Sequence, residues 1–120
     1  MHYHSNDLDI KTFLFNQIQG FKEYSTCDIE DDIYLFFGNL GGYIQYCIDN
    51  EFDAIVDQIY DFINSLIENA DSVEFENMIS VQIFEMQCDN LSYYDVARSK
   101  LNAEGKKLLS TVSGNFEGIE

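Results

Sequence analysis

The chain has 120 residues, 22 acidic side chains against six basic ones, a formal net charge of −16, and neither proline nor tryptophan. Its hydrophobic fraction of 46% and aromatic fraction of 15% argue against intrinsic disorder, because disordered acidic chains lack such residues. The charge argues against a conventional nucleic-acid binder, which needs a basic face, and against docking on an anionic membrane. The length fits one domain. The spacing predicts a first helix over residues 8–19, following Asp7 as a candidate N-cap. Ile10, Phe13, Leu14 and Ile18 share its inner face, and Gly20 ends it.

Ser25 and Thr26 offer the next cap, with Asp28 three residues after Ser25 as an acidic capping box. Asp28, Glu30, Asp31 and Asp32 would then crowd the first turns of a second helix, where acids complement the helix dipole. That helix carries a stripe of Ile33, Phe36, Phe37, Leu40, Ile44, Cys47 and Ile48. Gly41 and Gly42 interrupt it. They imply a bend, a break, or another backbone packed tightly against them.

A third helix is expected over 51–68. Its inner stripe is Phe52, Ile55, Val56, Ile59, Ile63, Leu66 and Ile67. Asp53, Asp57 and Asp61 fall at i, i+4, i+8 and form one acidic stripe with no lysine placed locally to relieve it. A fourth helix opens on the capping box Asp71-x-x-Glu74. Phe75, Met78, Ile79, Ile83 and Met86 form its inner face, widened by Val81, Phe84 and Cys88. Residues 73–83 are also rich enough in β-branched side chains for a strand, but length and cap favour helix. Ser92-x-x-Asp95 reads as the cap of a short helix to about Leu101, and Asn102 as the cap of a last one over 103–112. The expectation is an all-α protein, a single compact bundle of five or six helices over 1–120, with 1–6 and 113–120 frayed.

Chemistry-bearing motifs are scarce. The chain lacks GxSxG, HExxH and a phosphate-binding loop, and Gly38-x-x-Gly41-Gly42 lies within a helical stripe. His2 and His4 make a weak metal pair, and Asp49–Asp53 lacks the glycine and terminal glutamate of a calcium loop. Cys27, Cys47 and Cys88 are an odd number without CxxC and read as reduced, small hydrophobic residues. With no apolar run of membrane-spanning length and no signal-peptide pattern, a cytoplasmic protein without cofactor, metal or catalytic residues is expected.

The charge is unevenly placed. Residues 1–97 hold two lysines against 19 carboxylates, hence −17, whereas Arg98, Lys100, Lys106 and Lys107 face three acids in the remainder, hence +1. An acidic face rimmed by Tyr43, Tyr46 and Tyr60, with Tyr34 nearby, suits a basic protein surface: carboxylates steer the encounter and aromatics anchor it. Solubility alone is the competing explanation of the charge.

The Ile33–Ile48 stripe, Phe84-Glu85-Met86-Gln87 and the run from Arg98 to Leu109 together resemble a family of small acidic helical bacterial proteins. These are similar to the immunity proteins of contact-dependent inhibition and other polymorphic toxin systems. The resemblance implies an antitoxin that binds one cognate toxin C-terminal domain, basic and typically a nuclease, by stoichiometric occlusion. The resemblance carries over no contact residues; the acidic stripe and cluster themselves supply the candidate toxin-binding residues, Asp49, Glu51, Asp53, Asp57, Tyr60 and Asp61, with Asp28, Glu30, Asp31 and Asp32. The protein would contact neither nucleic acid nor membrane itself. The alternative is a nucleic-acid mimic that inhibits a DNA-binding protein, such as a restriction or CRISPR component.

Overall fold

A computed structural model of the chain describes residues 7–70 and 72–113, the side chain of Asp7 excepted. These residues form seven helices and no strand: α1 (Asp7–Gln17), α2 (Phe21–Tyr24), α3 (Ile33–Asp49), α4 (Asp53–Glu68), α5 (73–87), α6 (Leu91–Lys100) and α7 (Ala103–Val112). The all-α expectation holds, helix at 73–83 included. The helix beyond the expected six is α2, a single turn too short to carry a periodic stripe. No helix among the described residues is long and apolar enough to cross a membrane.

The core follows the stripes. Ile10 and Leu14 of α1, and Ile18 just after it, meet Phe36, Phe37, Leu40 and Ile44 of α3, with Ile59, Ile63 and Leu66 of α4 and Ile79, Ile83 and Phe84 of α5 in the same cluster. Each fully buried side chain of this size contributes roughly 1.5–3 kcal/mol relative to exposure. Phe13, expected inside, is 37% exposed and stacks on Phe62 instead, with ring centroids 4.7 Å apart. Ser113 is buried rather than frayed; residues 1–6 and 114–120 lie outside the described residues.

Several caps differ from expectation. Ser25 accepts from Cys27 N at 2.9 Å in a local turn, and Asp31 accepts from Asp28 N at 2.8 Å. The cap of α3 is therefore Asp32, which accepts from Tyr34 N at 2.9 Å, and no acid occupies the first turn of α3. Ser72 caps α5 by accepting from Phe75 N at 3.1 Å; Asp71 lies outside the described residues. Asn90, not Ser92, caps α6 through Tyr93 N at 3.0 Å. Asn102 caps α7 as expected, through Gly105 N at 2.8 Å.

Helix α5 is one rod whose middle, Ser80–Phe84, is π-helical between Val73–Ile79 and Glu85–Gln87. One extra residue in a turn rotates the face that follows by about 100°. The inner position therefore passes from Met86 to Gln87, which is fully buried, and Val81 turns outward to 48% exposure. Gln87 donates to Gly41 O at 3.0 Å and to Ile83 O at 3.2 Å. Here the glycine pair of α3 finds its reason: the helix is unbroken, and a Cβ on Gly41 would lie 2.7 Å from Met86 Sδ and 3.1 Å from Gln82 O.

Candidate functional site: an aromatic cleft with an acidic rim

Between α2, the middle of α3 and the start of α4 lies a cleft of about 510 Å³. Its construction begins at the α1–α2 turn. Gly20 adopts φ 80°, and a Cβ there would collide with the Tyr43 hydroxyl. That hydroxyl donates to Gln19 O at 2.7 Å. Gln58 of α4 holds the same turn from the other side, donating to Gln17 O and accepting from Gln19 N at 3.4 Å. Tyr43 is 3% exposed and forms the floor. Burial, followed by the neighbouring Cys47, Tyr46 and Glu23, pushes its phenol well above the ordinary value, so the floor is neutral.

The walls are a ladder of rings. Tyr46 lies nearly parallel to Tyr43, with centroids 5.9 Å apart and planes 16° apart. Tyr24 approaches both, at 4.9 Å from Tyr43 and 5.4 Å from Tyr46. Phe52 meets Tyr46 edge-on at 6.1 Å. Tyr24, Tyr46 and Phe52 keep 39%, 44% and 42% of their surface in water. Glu23 contributes a carboxylate to the lining.

The turn between α3 and α4 delivers Phe52. Phe52 N donates to Cys47 O at 2.8 Å and Glu51 N to Ile48 O at 3.1 Å, the paired bonds of a Schellman cap. Its left-handed position, normally glycine, is Glu51 at φ 60°. The turn thereby sets the exposed carboxylates of Glu51 and Asp53 on either side of Phe52 in sequence.

The acidic residues named from sequence do not form one patch. Asp32 and Asp49 flank the two ends of the 17-residue α3, which a rise of 1.5 Å per residue places about 24 Å apart. Asp28, Asp31 and Asp32 belong to the loop before α3, where Asp31 and Asp32 accept backbone bonds; Glu30 is exposed. Asp49 accepts the Tyr93 hydroxyl at 2.8 Å on both oxygens, and this bond is the main cause of the raised Tyr93 phenol pKa. Asp53, Asp57 and Asp61 are all exposed on α4. Asp57, however, pairs with Lys100, a relief invisible locally because the partner is 43 residues away. Asn64, two turns along α4, donates to Lys100 O at 3.0 Å and accepts from Asn102 N at 3.0 Å, which fixes the end of α6 over α4. Tyr60 is corrected outright: it is 1% exposed, a core residue that cannot touch a partner.

The two lysines of the acidic body neutralise no carboxylate within 4 Å among the described residues. Lys11 lies over the Phe36 ring at 5.6 Å and donates to Ile29 O at 3.3 Å. Lys22 lies over the Phe15 ring at 5.9 Å. Lysine ammonium groups reach only Asp57 and Glu104 among the described carboxylates. No group of three or more potential metal-ligating side chains occurs among the described residues. Cys47 is buried, Cys27 and Cys88 half-buried, and burial raises the thiol pKa of Cys47 and of Cys88.

Sequence reasoning missed Glu23, Tyr24 and Phe52. Phe52 fits the inner stripe of α4 by spacing, but it precedes the helix and turns outward. No family model, no curated protein and no solved structure matches this chain.

Proposed function

We propose that this protein is an immunity protein, a non-enzymatic inhibitor that binds a cationic toxin domain, most simply a nuclease, in the cytoplasm. The reading rests on the resemblance of its sequence and on one observation above all. Lys11 and Lys22 lie on phenyl rings and a backbone carbonyl, and of the acids on α4 only Asp57 meets a lysine, so Asp53 and Asp61 face water without a lysine partner among the described residues. A surface of this kind attracts a basic domain over long range and covers the cationic groups that would otherwise hold phosphates.

Within that surface, Glu23 in the lining of the aromatic cleft, with the exposed Glu51 and Asp53 next to Phe52 in sequence, combines charge with partly exposed rings, the pairing found at interface anchors. Asp61 and the exposed carboxylates of the α2–α3 loop extend the field. Asp57 contributes less, because Lys100 already pairs with it.

The test is co-expression with the toxin domain encoded beside the gene. Wild-type protein should restore growth and stop nucleic-acid cleavage at one inhibitor per toxin. The double variant Glu51→Lys, Asp53→Lys should bind more weakly, and its affinity should depend less on salt. Unaltered cleavage in the presence of excess wild-type protein refutes the proposal.

A further inference from the structure

We propose that the cleft between α2, α3 and α4 is an anchor pocket for one arginine side chain of the protein partner, its guanidinium against the tyrosine faces and beside Glu23. This deepens the reading of the protein as a binder of a cationic domain and rests on it.

Size is the first argument. A volume of about 510 Å³ lies within the range of roughly 300–1,000 Å³ typical of small-ligand sites, enough for a long side chain and too small for a helix. The second is the chemistry of the lining. Tyr24, Tyr46 and Phe52 offer ring surface to solvent, and Glu23 is the one carboxylate in the lining. Lys22, next to Glu23 in sequence, is turned onto Phe15 and leaves that carboxylate without a lysine partner among the described residues.

The fold itself supplies a precedent. Both lysines of the acidic body already sit over phenyl rings, so ring faces in this negative field hold cations. Arginine suits the cleft better than lysine. Its planar, weakly hydrated guanidinium stacks on aromatic faces while its edge meets a carboxylate, whereas an ammonium keeps more of its water. The pocket is also preorganised. Gly20, the Tyr43–Gln19 bond and the Gln58 clamp fix the floor before any partner arrives, which lowers the ordering cost of binding.

The experiment is a titration of the isotope-labelled full chain with short uncharged-background peptides carrying one central arginine, lysine or citrulline, followed by amide chemical shifts. An octa-arginine peptide is titrated in parallel. The arginine peptide should shift amides at 19–24, 43–46 and 52–55, more tightly than lysine, with citrulline inert. Tyr46→Ala and the near-isosteric Glu23→Gln should each weaken it by about two- to fivefold. Thermal melts confirm that both variants fold, and Glu23→Gln alone suffices if Tyr46→Ala does not. Equal binding of lysine and arginine, or an arginine affinity unchanged by Glu23→Gln, overturns the pocket. Octa-arginine binding with shifts spread over the carboxylates also overturns the pocket but leaves the cationic-partner reading standing. Absence of binding by every cationic peptide removes both.

Discussion

Replacing Glu51 with glycine should make the protein more stable and a poorer binder. Glu51 occupies the left-handed position of the cap that ends α3, at φ 60°. A side chain with a Cβ costs about 1–2 kcal/mol there. Glycine removes that strain but gains unfolded-state entropy, which returns about 0.4–1 kcal/mol. The net expectation is about 0.5–1 kcal/mol of added stability, or roughly 2–5 °C in Tm for a chain of this length. Glu51→Gly also removes a negative charge from a chain of −16, so charge and backbone must be separated. Glu51→Gln does so: it removes the same charge and keeps the same strain. Urea unfolding of wild type, Glu51→Gly, Glu51→Gln and Glu51→Asn, read as a shift in midpoint at constant slope, gives the comparison. Glycine should exceed glutamine by the net of strain and unfolded-state entropy, about 0.5–1 kcal/mol, and asparagine, which tolerates the left-handed region, should fall between. If Glu51→Gly is no more stable than Glu51→Gln, the cap is unstrained and the reasoning fails. If the proposed cationic partner exists, the neutral variants should lose affinity for it alike, because they remove the same charge.

Three further outcomes follow from the core and the titrating groups. Gly41→Ala should destabilise by about 1–2 kcal/mol, since its methyl meets Met86 Sδ and the Gln82 carbonyl, whereas Gly38→Ala, whose nearest obstacle is 3.5 Å away, should gain up to about 1 kcal/mol by helix propensity. Equal effects in urea unfolding would refute the close approach of α3 and α5. Tyr60 is buried with no hydrogen-bond partner for its hydroxyl among the described residues, so Tyr60→Phe should be neutral or stabilise by up to about 1 kcal/mol; a loss above that would reveal a bond. Burial raises the pKa values of the Tyr43 and Tyr60 phenols and of the Cys47 and Cys88 thiols. The folded state thus retains protons that the unfolded chain releases, and the stability linked to them is intact below the unfolded values. Tm should be insensitive to these groups at pH 7, decline as pH rises past about 8.5 and fall faster past about 10. A Tm that holds level to pH 11 contradicts this.

What could be read from the residues follows the reach of each interaction. The α3 stripe and the Asn102 cap were legible because helical periodicity and capping act over three or four residues. The loop before α3 was not, because Ser25, Asp28, Asp31 and Asp32 all compete for nearby amides and only the folded chain decides that Asp32 wins. The π turn in α5 leaves no local signature. It shows only as a fully buried Gln87 bonded to Gly41, 46 residues away. Lys100 over Asp57 depends likewise on Asn64 fixing the end of α6. The cleft was half legible: Tyr46 sits off the α3 stripe, as an exposed ring should, while Phe52 satisfies the α4 stripe and breaks it only because the chain turns at Glu51.

The departure at the C-terminal end of α3, where the chain turns at Glu51, bears on the two explanations of the charge. A surface selected for solubility alone accounts for an excess of carboxylates but gains nothing from ring surface in water. Here the α3–α4 turn retains glutamate where glycine is the unstrained choice, and it holds Phe52 outward beside Tyr46 and Tyr24. The lysines nearest in sequence to the acidic body lie on Phe36 and Phe15, not on its carboxylates. The strained glutamate and the exposed rings each lower the stability of the isolated chain, and the proposed cationic partner would offset both costs. Strain of this kind persists where the surrounding fold enforces it and a function uses it. The cost at Glu51 and the exposed ladder of rings thus meet at one turn, and both are accounted for by the proposed cationic partner.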